Sequence, residues 1–452
     1  MSDESAPHGG HLGGWRELGT AHLLPKLLIV LLGVWMNAAD ALVTSTIMVA
    51  GFLIGAVIAG ASAGRVAEVF GLGRASSFSG IVFAVGCALS AAAPDMHSFL
   101  AGRVVQGVGS GWFSGFAMVA IAQLFPERQL ARVFAIISGV WGVATLLGPL
   151  VGGLFAEAGN WRALFWIFLA QAVIFAVLAP FLFREAKAQS MTRAIPVAQL
   201  LLVTVGISAI ALADLAGPQG ASLALILGGF LVLTLVFAVD ARVKVRLLPH
   251  RAGDPRTVVG AGYLALFAIS AASMPFSIYV PPILQQLKGL TALQAGYVVA
   301  ALALAWTLAA FVVSNVVSGR EGPWIRWGGL LIALGTVLQH VAVPTLSILA
   351  ICLAGVVMGC GFGLFTSLSN RLLLRTLTQE DQAIGSAALM SVRQVGGAVG
   401  AALAGVAANM AGFADGLTDA SARGTAGTVF LAVFPLAAIG AAALFAMTRK
   451  RG

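Results

Sequence analysis

Long apolar runs alternate with short segments of charged and turn-forming residues along almost the whole chain. After a first run at 27–64, twelve more follow, each close to the roughly 20 residues that a helix needs to cross a bilayer. They lie at 76–94, 98–124, 133–155, 163–183, 197–215, 221–239, 257–281, 294–316, 324–343, 346–370, 383–410 and 426–447. They are too long and too uniformly apolar for the alternating strands of a membrane barrel. The pattern therefore predicts an all-α polytopic membrane protein.

The first apolar run, between Lys26 and Arg65, fits neither one helix nor two. A single helix over 27–64 would be about 57 Å long, nearly twice the thickness of the hydrocarbon layer. Two crossings and a turn need more residues than this run contains. The run is therefore too long for one crossing and too short for two, so a hairpin formed by it would be short.

The positive charges decide between the two. If the run crosses twice, the chain has fourteen helices, and 21 of its 26 Lys and Arg residues lie on one side of the membrane. Only Arg162, Lys288 and Arg423 lie in segments on the other side. Cytoplasmic loops carry such an excess of cations. The sequence thus predicts fourteen helices, with both termini in the cytoplasm.

Composition agrees with the pattern and narrows the functions open to the chain. Of 452 residues, 59% are hydrophobic and 10% are charged, against about a quarter charged in soluble domains. The net charge of +9 is explained by the cytoplasmic loops, so we expect no nucleic-acid partner. The three cysteines lie within apolar runs and indicate packing. Without a nucleotide-binding loop, metal cluster or nucleophile–base arrangement in the sequence, we expect neither an enzyme nor a cofactor.

The predicted helices group as six, two and six. The boundaries are a cytoplasmic segment at 1–26, a bundle at 27–184, a central loop and helix pair at 185–256, a bundle at 257–447 and a tail at 448–452. A weak internal repeat relates the two bundles. Gly139-Val-Trp-Gly142 precedes Gly148 in the fifth helix, and Ser391-Val-Arg-Gln394 precedes Gly400 at the same spacing in the thirteenth. Repeated halves predict a substrate site at their interface, near the midplane of the membrane.

Several short motifs occur in order along the chain. They are GRVAEVFG at 64–71, RVVQGVGSG at 103–111, GPLVGG at 148–153, YVPPILQQ at 279–286 and RQVGG at 393–397. Together with Trp161-Arg162 and the central helix pair, they resemble the major facilitator superfamily, specifically its fourteen-helix drug:proton antiporter branch. The first motif departs from the family pattern, because Glu68 stands in place of an aspartate and Val69 in place of an arginine.

The resemblance assigns roles to individual residues. It implies that one set of positions belongs to conformational or gating motifs: Gly64, Glu68, Gly71, Gln106, Gly107, Gly148, Pro149, Gly152, Gly153 and Arg393. It also places Asp40 at the position of the branch's membrane-embedded acid. After Met48 the branch has an outer loop, whereas here Val49 already continues as the second helix. Roughly 15–20 residues are therefore missing at 48–49, in agreement with the length deficit of the first hairpin.

Ionisable residues inside a bilayer are costly, and they indicate function by default. Asp40 is the one acid deep in a predicted helix, and Arg103 is a cation in the fourth. A carboxylate poised between burial and a nearby cation can take up and release protons. We expect Asp40 and Arg103 to couple transport to protons, or else to form a charge pair that only holds two helices together. Arg393 has the same alternatives, function or bonding between helices.

Aromatic and polar side chains within the helices are candidates for binding an amphipathic, often cationic, compound. They are Trp35, Asn37, Phe113, Phe116, Trp141, Phe267, Phe276, Tyr279, Gln285 and Asn370. The alternative for each of them is packing or contact with lipid.

The resemblance implies a proton-coupled secondary transporter that exports hydrophobic or cationic drugs and related small molecules by alternating access. The partners expected are the lipid bilayer, protons and a small-molecule substrate, with the chain as a monomer in the plasma (inner) membrane. Two alternatives stay open. One is transport of an organic anion or metabolite with Arg103 and Arg393 as anchors, and the other is a truncated, non-transporting remnant.

Overall fold

The computed structural model describes residues 23–43, 46–183, 196–213, 219–413 and 418–449, and these residues form fourteen α-helices and no strand. The first bundle contains α1 (Leu24–Val43), α2 (Thr46–Phe70), α3 (Leu72–Ala92), α4 (Met96–Leu124), α5 (Glu127–Glu157) and α6 (Trp161–Leu182). The central pair is α7 (Val197–Leu212) and α8 (Gln219–Asp240). The second bundle contains α9 (Val258–Lys288), α10 (Ala292–Val313), α11 (Gly322–Thr345), α12 (Ile348–Thr376), α13 (Gln382–Met410) and α14 (Asp419–Met447). Among the described residues, ten helices are long and apolar enough to cross a membrane, so the chain is a multi-pass membrane protein.

The first apolar run forms two helices, as the distribution of cations predicts. Both extend beyond 27–64, because α1 begins at Leu24 and α2 continues to Phe70. The 20 residues of α1 span about 30 Å, which just matches the hydrocarbon thickness. The second helix begins at Thr46, three residues before the predicted Val49. Only residues 44–45, which lie outside the described part, connect the two helices.

Capping explains why several helices are longer than their apolar runs. The α4 helix begins at Met96 because the Asp95 carboxylate accepts the backbone N–H of Ser98 at 2.8 Å, in a reciprocal capping box. The α14 helix begins well before the predicted 426, since Thr418 and Ser421 form a second box. Polar side chains satisfy the first free N–H groups of a helix, so a helix can start in a polar segment.

The apolar run at 257–281 predicts a helix that ends at 281. This prediction is wrong, because α9 continues to Lys288. Pro275, Pro281 and Pro282 all lie inside this helix. Proline removes one helical hydrogen bond, but neighbouring helices in a membrane bundle can support the interrupted turn. The helix ends instead at Gly289, whose φ of 64° reverses the chain.

The two bundles repeat the same packing. In the first, α2 packs on α4, α3 on α6 and α1 on α5. In the second, α10 packs on α12, α11 on α14 and α9 on α13, in the same relative positions. The halves meet through α5 with α10 and through α2 with α13. The central pair lies over the second of these seams, where Val203 and Ile207 of α7 pack near Ala61 and Val395.

Small residues bring α2 and α4 into close contact in the first bundle. A Cβ atom at Gly107 would collide with the carbonyl oxygen of Phe52, and one at Gly111 with that of Ala56. Glycine lets two helix backbones approach in this way. The Gly107 of the Arg-x-x-Gln-Gly motif is therefore part of the packing between these helices.

The segments predicted to share one side of the membrane come together at one end of the bundle. Arg375 lies 3.7 Å from Glu127, Arg326 donates to the Thr448 hydroxyl at 2.8 Å, and His250 contacts Asp381 at 3.0 Å. We call this the basic end. At the opposite end, Arg162 donates to the carbonyl oxygen of Ala93 at 3.0 Å.

Candidate functional site

A small cavity lies between the two bundles. The first bundle contributes side chains from α4 and α5, and the second from α10, α12 and α13. The lining residues are Met118, Phe134, Ile137, Ser138, Trp141, Trp306, Thr366, Asn370, Leu389, Met390 and Arg393. The cavity holds about 20 Å³, enough for about one water molecule. It lies at the interface of the repeated halves, where the sequence predicts the substrate site.

The internal repeat places equivalent residues in the lining of this cavity, one from each bundle. Trp141 of α5 and Arg393 of α13 occupy the same position in the two repeats, and both line it. The next residues in the two repeats, Gly142 and Gln394, are equivalent as well. Gly142 faces Thr307 of α10, and Gln394 faces Gly60 of α2, the counterpart of α10 in the first bundle. The seams are therefore related by the same pseudo-symmetry as the sequence.

Arg393 gives one wall of the cavity a positive charge. Its guanidinium lies 5.2 Å from the ring centroid of Trp306, within the range of a cation–π contact. Within the described part of the chain, Arg393 forms no ion pair with a carboxylate. The Trp306 Nε1, Thr366 Oγ1 and Asn370 Oδ1 atoms, all buried, have no hydrogen-bond partner there either. The polar groups of this lining therefore have unused hydrogen-bonding capacity among the described residues.

Arg103 forms a second buried cationic centre, in the first bundle. Its side chain is 0% exposed, and its Nη1 donates to Gln106 Oε1 at 2.9 Å. The guanidinium lies 4.7 Å from the ring centroid of Phe52 and 5.8 Å from that of Phe165. Arg103 thus links α4 to α2 and α6 and orders the intramembrane motif around it.

Asp40 lies in α1, but its side chain is outside the described residues. The same holds for Asn37. The pairing of Asp40 with Arg103 therefore stays a prediction.

The motif after the second helix lies at the seam between the bundles. Gly64 faces the backbone of Ala383 and Ile384, at the start of α13, and a Cβ atom there would collide with both. Arg65 and Glu68 form an ion pair on the same turn, with 2.6 Å between Nη1 and Oε2. Gly71, with φ of 79°, connects α2 directly to α3. Glu68 thus retains an ion pair next to α13, although the loop motif departs from the family pattern.

Further contacts hold the two bundles together at the basic end. Ser318 donates to Glu127 Oε1 at 2.7 Å, Arg132 to Asn315 Oδ1 at 3.1 Å, and Gln382 to the Ala122 carbonyl at 3.2 Å. A drug-sized ligand needs a pocket of about 300–1,000 Å³, far more than the cavity provides. The basic end is therefore closed in this structure, and a drug-sized ligand could reach the cavity from this end only after the bundles move apart.

The structure brings three of the predicted site residues together, namely Trp141, Asn370 and Arg393. Most of the others pack within one bundle. Phe113 contacts the rings of Phe83 and Phe175, with centroid distances of 5.1 and 4.7 Å.

Other predicted substrate residues also lie away from the cavity lining. Phe116 stacks near Trp112, and the Phe276 ring lies against Gly355. Tyr279 meets Phe413 edge to face, and Gln285 is exposed near the end of α9.

The two remaining aromatic candidates pack against apolar side chains. Trp35 packs against the main apolar core of the chain. Phe267 lies beside the small cluster around Ile210 and Val399, near the central pair. None of the packed candidates faces the cavity in this closed arrangement of the described residues.

Several residues that line the cavity are not among those predicted from the sequence. Phe134, Ile137 and Ser138 share the face of α5 that carries Trp141, and Thr366 lies one turn before Asn370. Helical spacing from the predicted residues would have found these four. Trp306 gave no such signal, because it lies in a uniformly apolar run and meets Arg393 only through the tertiary fold.

The signature GPLVGG lies within α5, which is helical through Glu157. Gly148 is buried, while the surroundings of Pro149, Gly152 and Gly153 are outside the described residues. Their gating role stays a prediction.

Proteins with similar sequences match this chain over most of its length. A probable multidrug-efflux transporter of Mycobacterium tuberculosis is 31% identical over 475 residues, covering 97% of both chains. The multidrug transporter protein MdtP of Bacillus subtilis is 24% identical, covering 87% of this chain and 72% of its own. The 475 residues of the first match exceed the 452 of this chain. The relative thus has residues with no counterpart here.

Solved structures share the fold. The proton:xylose symporter XylE aligns with a TM-score of 0.63 at 16% identity, covering 94% of each chain. The human organic anion transporter MFSD10 aligns with a TM-score of 0.62 at 14% identity, covering 92% of this chain and 99% of its own. The profile of the Major Facilitator Superfamily matches residues 26–401. With its repeated six-helix bundles and the cavity between them, the chain belongs to the Major Facilitator Superfamily of transporters.

Proposed function

We propose that the protein exports hydrophobic or cationic drugs and related small molecules by alternating access, in exchange for protons. The observation that supports this most directly is the cavity between two repeated bundles, closed at one end by contacts between them. The relatives named as multidrug transporters support export of drugs. The proton gradient is the energy source in this proposal, with no cofactor.

The membrane orientation follows from the cations. In the proposed arrangement the basic end and both termini face the cytoplasm, and the chain lies in the plasma (inner) membrane as a monomer. The closed basic end then corresponds to a state in which the substrate path from the cytoplasm is shut. Export requires the contacts of Glu127, Ser318 and Gln382 to break, so that substrate reaches Trp141 and Arg393 from the inside.

Protons enter the proposal through the buried charges. Arg103 is fully buried, and a carboxylate near a buried guanidinium can change its protonation as the cavity opens to either side. Asp40 is the acid we assign to this task. Ionised Asp40 would bind a cationic substrate, and protonated Asp40 would release that substrate.

The test is dye efflux from pump-deficient cells, with and without a proton uncoupler. We expect this chain to lower intracellular dye, and the uncoupler to remove that effect because the gradient drives export. A version with a rebuilt first outer loop is measured in parallel. If only the rebuilt version pumps, the shortened chain is a non-transporting remnant of the family. If efflux by this chain continues undiminished with the uncoupler, proton coupling is wrong.

Arg393 favours a second candidate function, the transport of an organic anion. A cation without a described carboxylate partner attracts anions and repels cations within a water-poor cavity. If the substrate is an anion, Arg393→Gln should weaken inhibition of transport by carboxylates about 10-fold or more, the effect of one charge-assisted hydrogen bond. Inhibition by cations should remain.

The competition assay separates the two candidates. Arg423→Gln, which removes an exposed arginine at the start of α14, is the matched control. If carboxylates fail to compete in the unaltered protein while lipophilic cations do, the anion candidate is excluded.

A further inference from the structure

A second pocket lies apart from the cavity between the bundles, where α8 ends. It holds about 200 Å³ and lies between the end of α8 and the following strap, which we define as residues 241–257. Phe237, Arg246 and Arg251 are among its lining residues. It is about ten times as large as the central cavity.

The strap carries a strong excess of positive charge. It contains five cations, at Arg242, Lys244, Arg246, Arg251 and Arg256, against a single acid, Asp254. Arg246 and Arg251 form no ion pair within the part of the chain that the structure describes. Both are therefore available to an anionic ligand.

The acids that line the pocket are occupied by the chain itself. Asp240 accepts the backbone N–H groups of Leu247 and Leu248 at 2.6 and 3.2 Å, and Gln199 also donates to it at 3.2 Å. Asp254 accepts the backbone N–H of Arg256 at 3.0 Å. The bonds of Asp240 hold the strap against the end of α8, and both carboxylates already accept hydrogen bonds from the chain. The guanidinium groups of Arg246 and Arg251 are the hydrogen-bond donors that the pocket offers to an anion.

The backbone of the strap is strained at one of these cations. Arg251 has φ of 62°, a left-handed conformation that favours glycine. Such strain in a residue other than glycine often accompanies binding sites. Here the reversal presents Arg251 on the same pocket as Arg246.

The surroundings of the pocket indicate the kind of ligand. Leu223, Leu227, Leu231 and Leu235 form an exposed apolar face along α8, and Phe237, which is 44% exposed, adds an apolar side chain to the pocket lining. A ligand with a phosphate on an apolar tail matches a pair of arginines at the end of such a face.

We propose that this pocket binds the phosphate-bearing head group of an anionic phospholipid. Arg246 and Arg251 contact the phosphate, and the acyl chains lie along the leucine face of α8. The site is separate from the cavity between the bundles and would hold a lipid whether or not substrate is bound.

Native mass spectrometry of the full chain in detergent, titrated with phosphatidylglycerol or phosphatidylcholine, tests the proposal. We expect one phosphatidylglycerol molecule to bind at least about tenfold more tightly than phosphatidylcholine. The double variant Arg246→Gln/Arg251→Asn should lose about thirtyfold in affinity, which is about 2 kcal/mol at tenfold per 1.4 kcal/mol, for the loss of two cation–phosphate contacts. Asparagine is chosen at 251 because it tolerates the left-handed conformation.

The matched control is Arg320→Gln/Arg423→Gln, which removes two exposed arginines elsewhere and lowers the net charge equally. It should bind phosphatidylglycerol as the unaltered protein does. Equal affinities for the pocket variant and the unaltered protein would overturn the proposal. Complete displacement of the lipid by an equal concentration of inorganic phosphate would also overturn it, because the site would then take a free anion.

Discussion

Cross-linking the two bundles at the basic end is expected to stop transport completely and reversibly. The cross-link joins cysteines at Glu127 and Ser318, whose side chains are 2.7 Å apart in this structure, in a background without Cys87, Cys352 and Cys360. Because these positions lie on opposite bundles, a short thiol cross-linker would hold the basic end closed. Transport should fall about tenfold when about nine in ten molecules are cross-linked, since only the free fraction can change conformation. Reduction of a cleavable linker should restore it.

A cross-link within one bundle is the control. Arg326 and Thr448 lie at the same end, with 2.8 Å between Nε and Oγ1, but both belong to the second bundle. Their cross-linked cysteine variants should transport normally, because each bundle moves as a unit. Before cross-linking, the Glu127 and Ser318 variants should also be active, since the half-exposed pair of Glu127 and Arg375 contributes little. Continued transport by the fully cross-linked first pair would contradict alternating access.

Replacing Arg103 by glutamine or lysine is expected to reduce uphill transport about 30- to 100-fold. Glutamine removes the charge-assisted bond to Gln106. Lysine keeps the charge but removes the planar guanidinium group that contacts the rings of Phe52 and Phe165. Such a bond contributes about 1.5–3 kcal/mol, and the lysine ammonium cannot stack on both rings. Asp40→Asn should abolish proton-driven transport as well, if these two residues form the coupling centre. The measurement is substrate accumulation in proteoliposomes with an imposed proton gradient.

Downhill exchange distinguishes coupling from structure. If Asp40 couples protons, Asp40→Asn should still exchange substrate across liposomes without a gradient. Arg162→Gln serves as the control, because this arginine is exposed at the opposite end, where it bonds to the Ala93 carbonyl and lies over the ring of Trp161. Thermal unfolding of each variant shows whether the bundle is intact. Undiminished uphill transport by Asp40→Asn would exclude it as the coupling acid.

Much of the fold could be predicted from the sequence, because membrane insertion depends on local properties. The lengths of apolar runs and the side of each cation led to fourteen helices, even where the first run was ambiguous. The helix ends were less accurate. Prolines inside α9 and capping boxes before α4 and α14 extended helices past the apolar residues, since the free energy of a helix end depends on single hydrogen bonds.

The site was predicted in part, and the internal repeat was the useful signal. It placed Trp141 and Arg393 in equivalent positions, and the structure puts both in the cavity. Composition alone was a poor guide to the other aromatics. Phe113 and Phe276 look like substrate residues in a sequence, yet each packs inside its own bundle, because a helix in the bundle has several buried faces.

By itself, the sequence determined the membrane class, the number of helices and the family resemblance, and it predicts which side of the membrane the cations face. Each of these follows from hydrophobic free energy and charge, which act residue by residue along the chain. Only the tertiary structure decided which helices meet, that the basic end is closed, that Trp306 lies against Arg393 and that two arginines of the strap share a pocket. These contacts join residues far apart in sequence, and no local pattern specifies which helix faces meet when bundles of nearly uniform hydrophobicity pack.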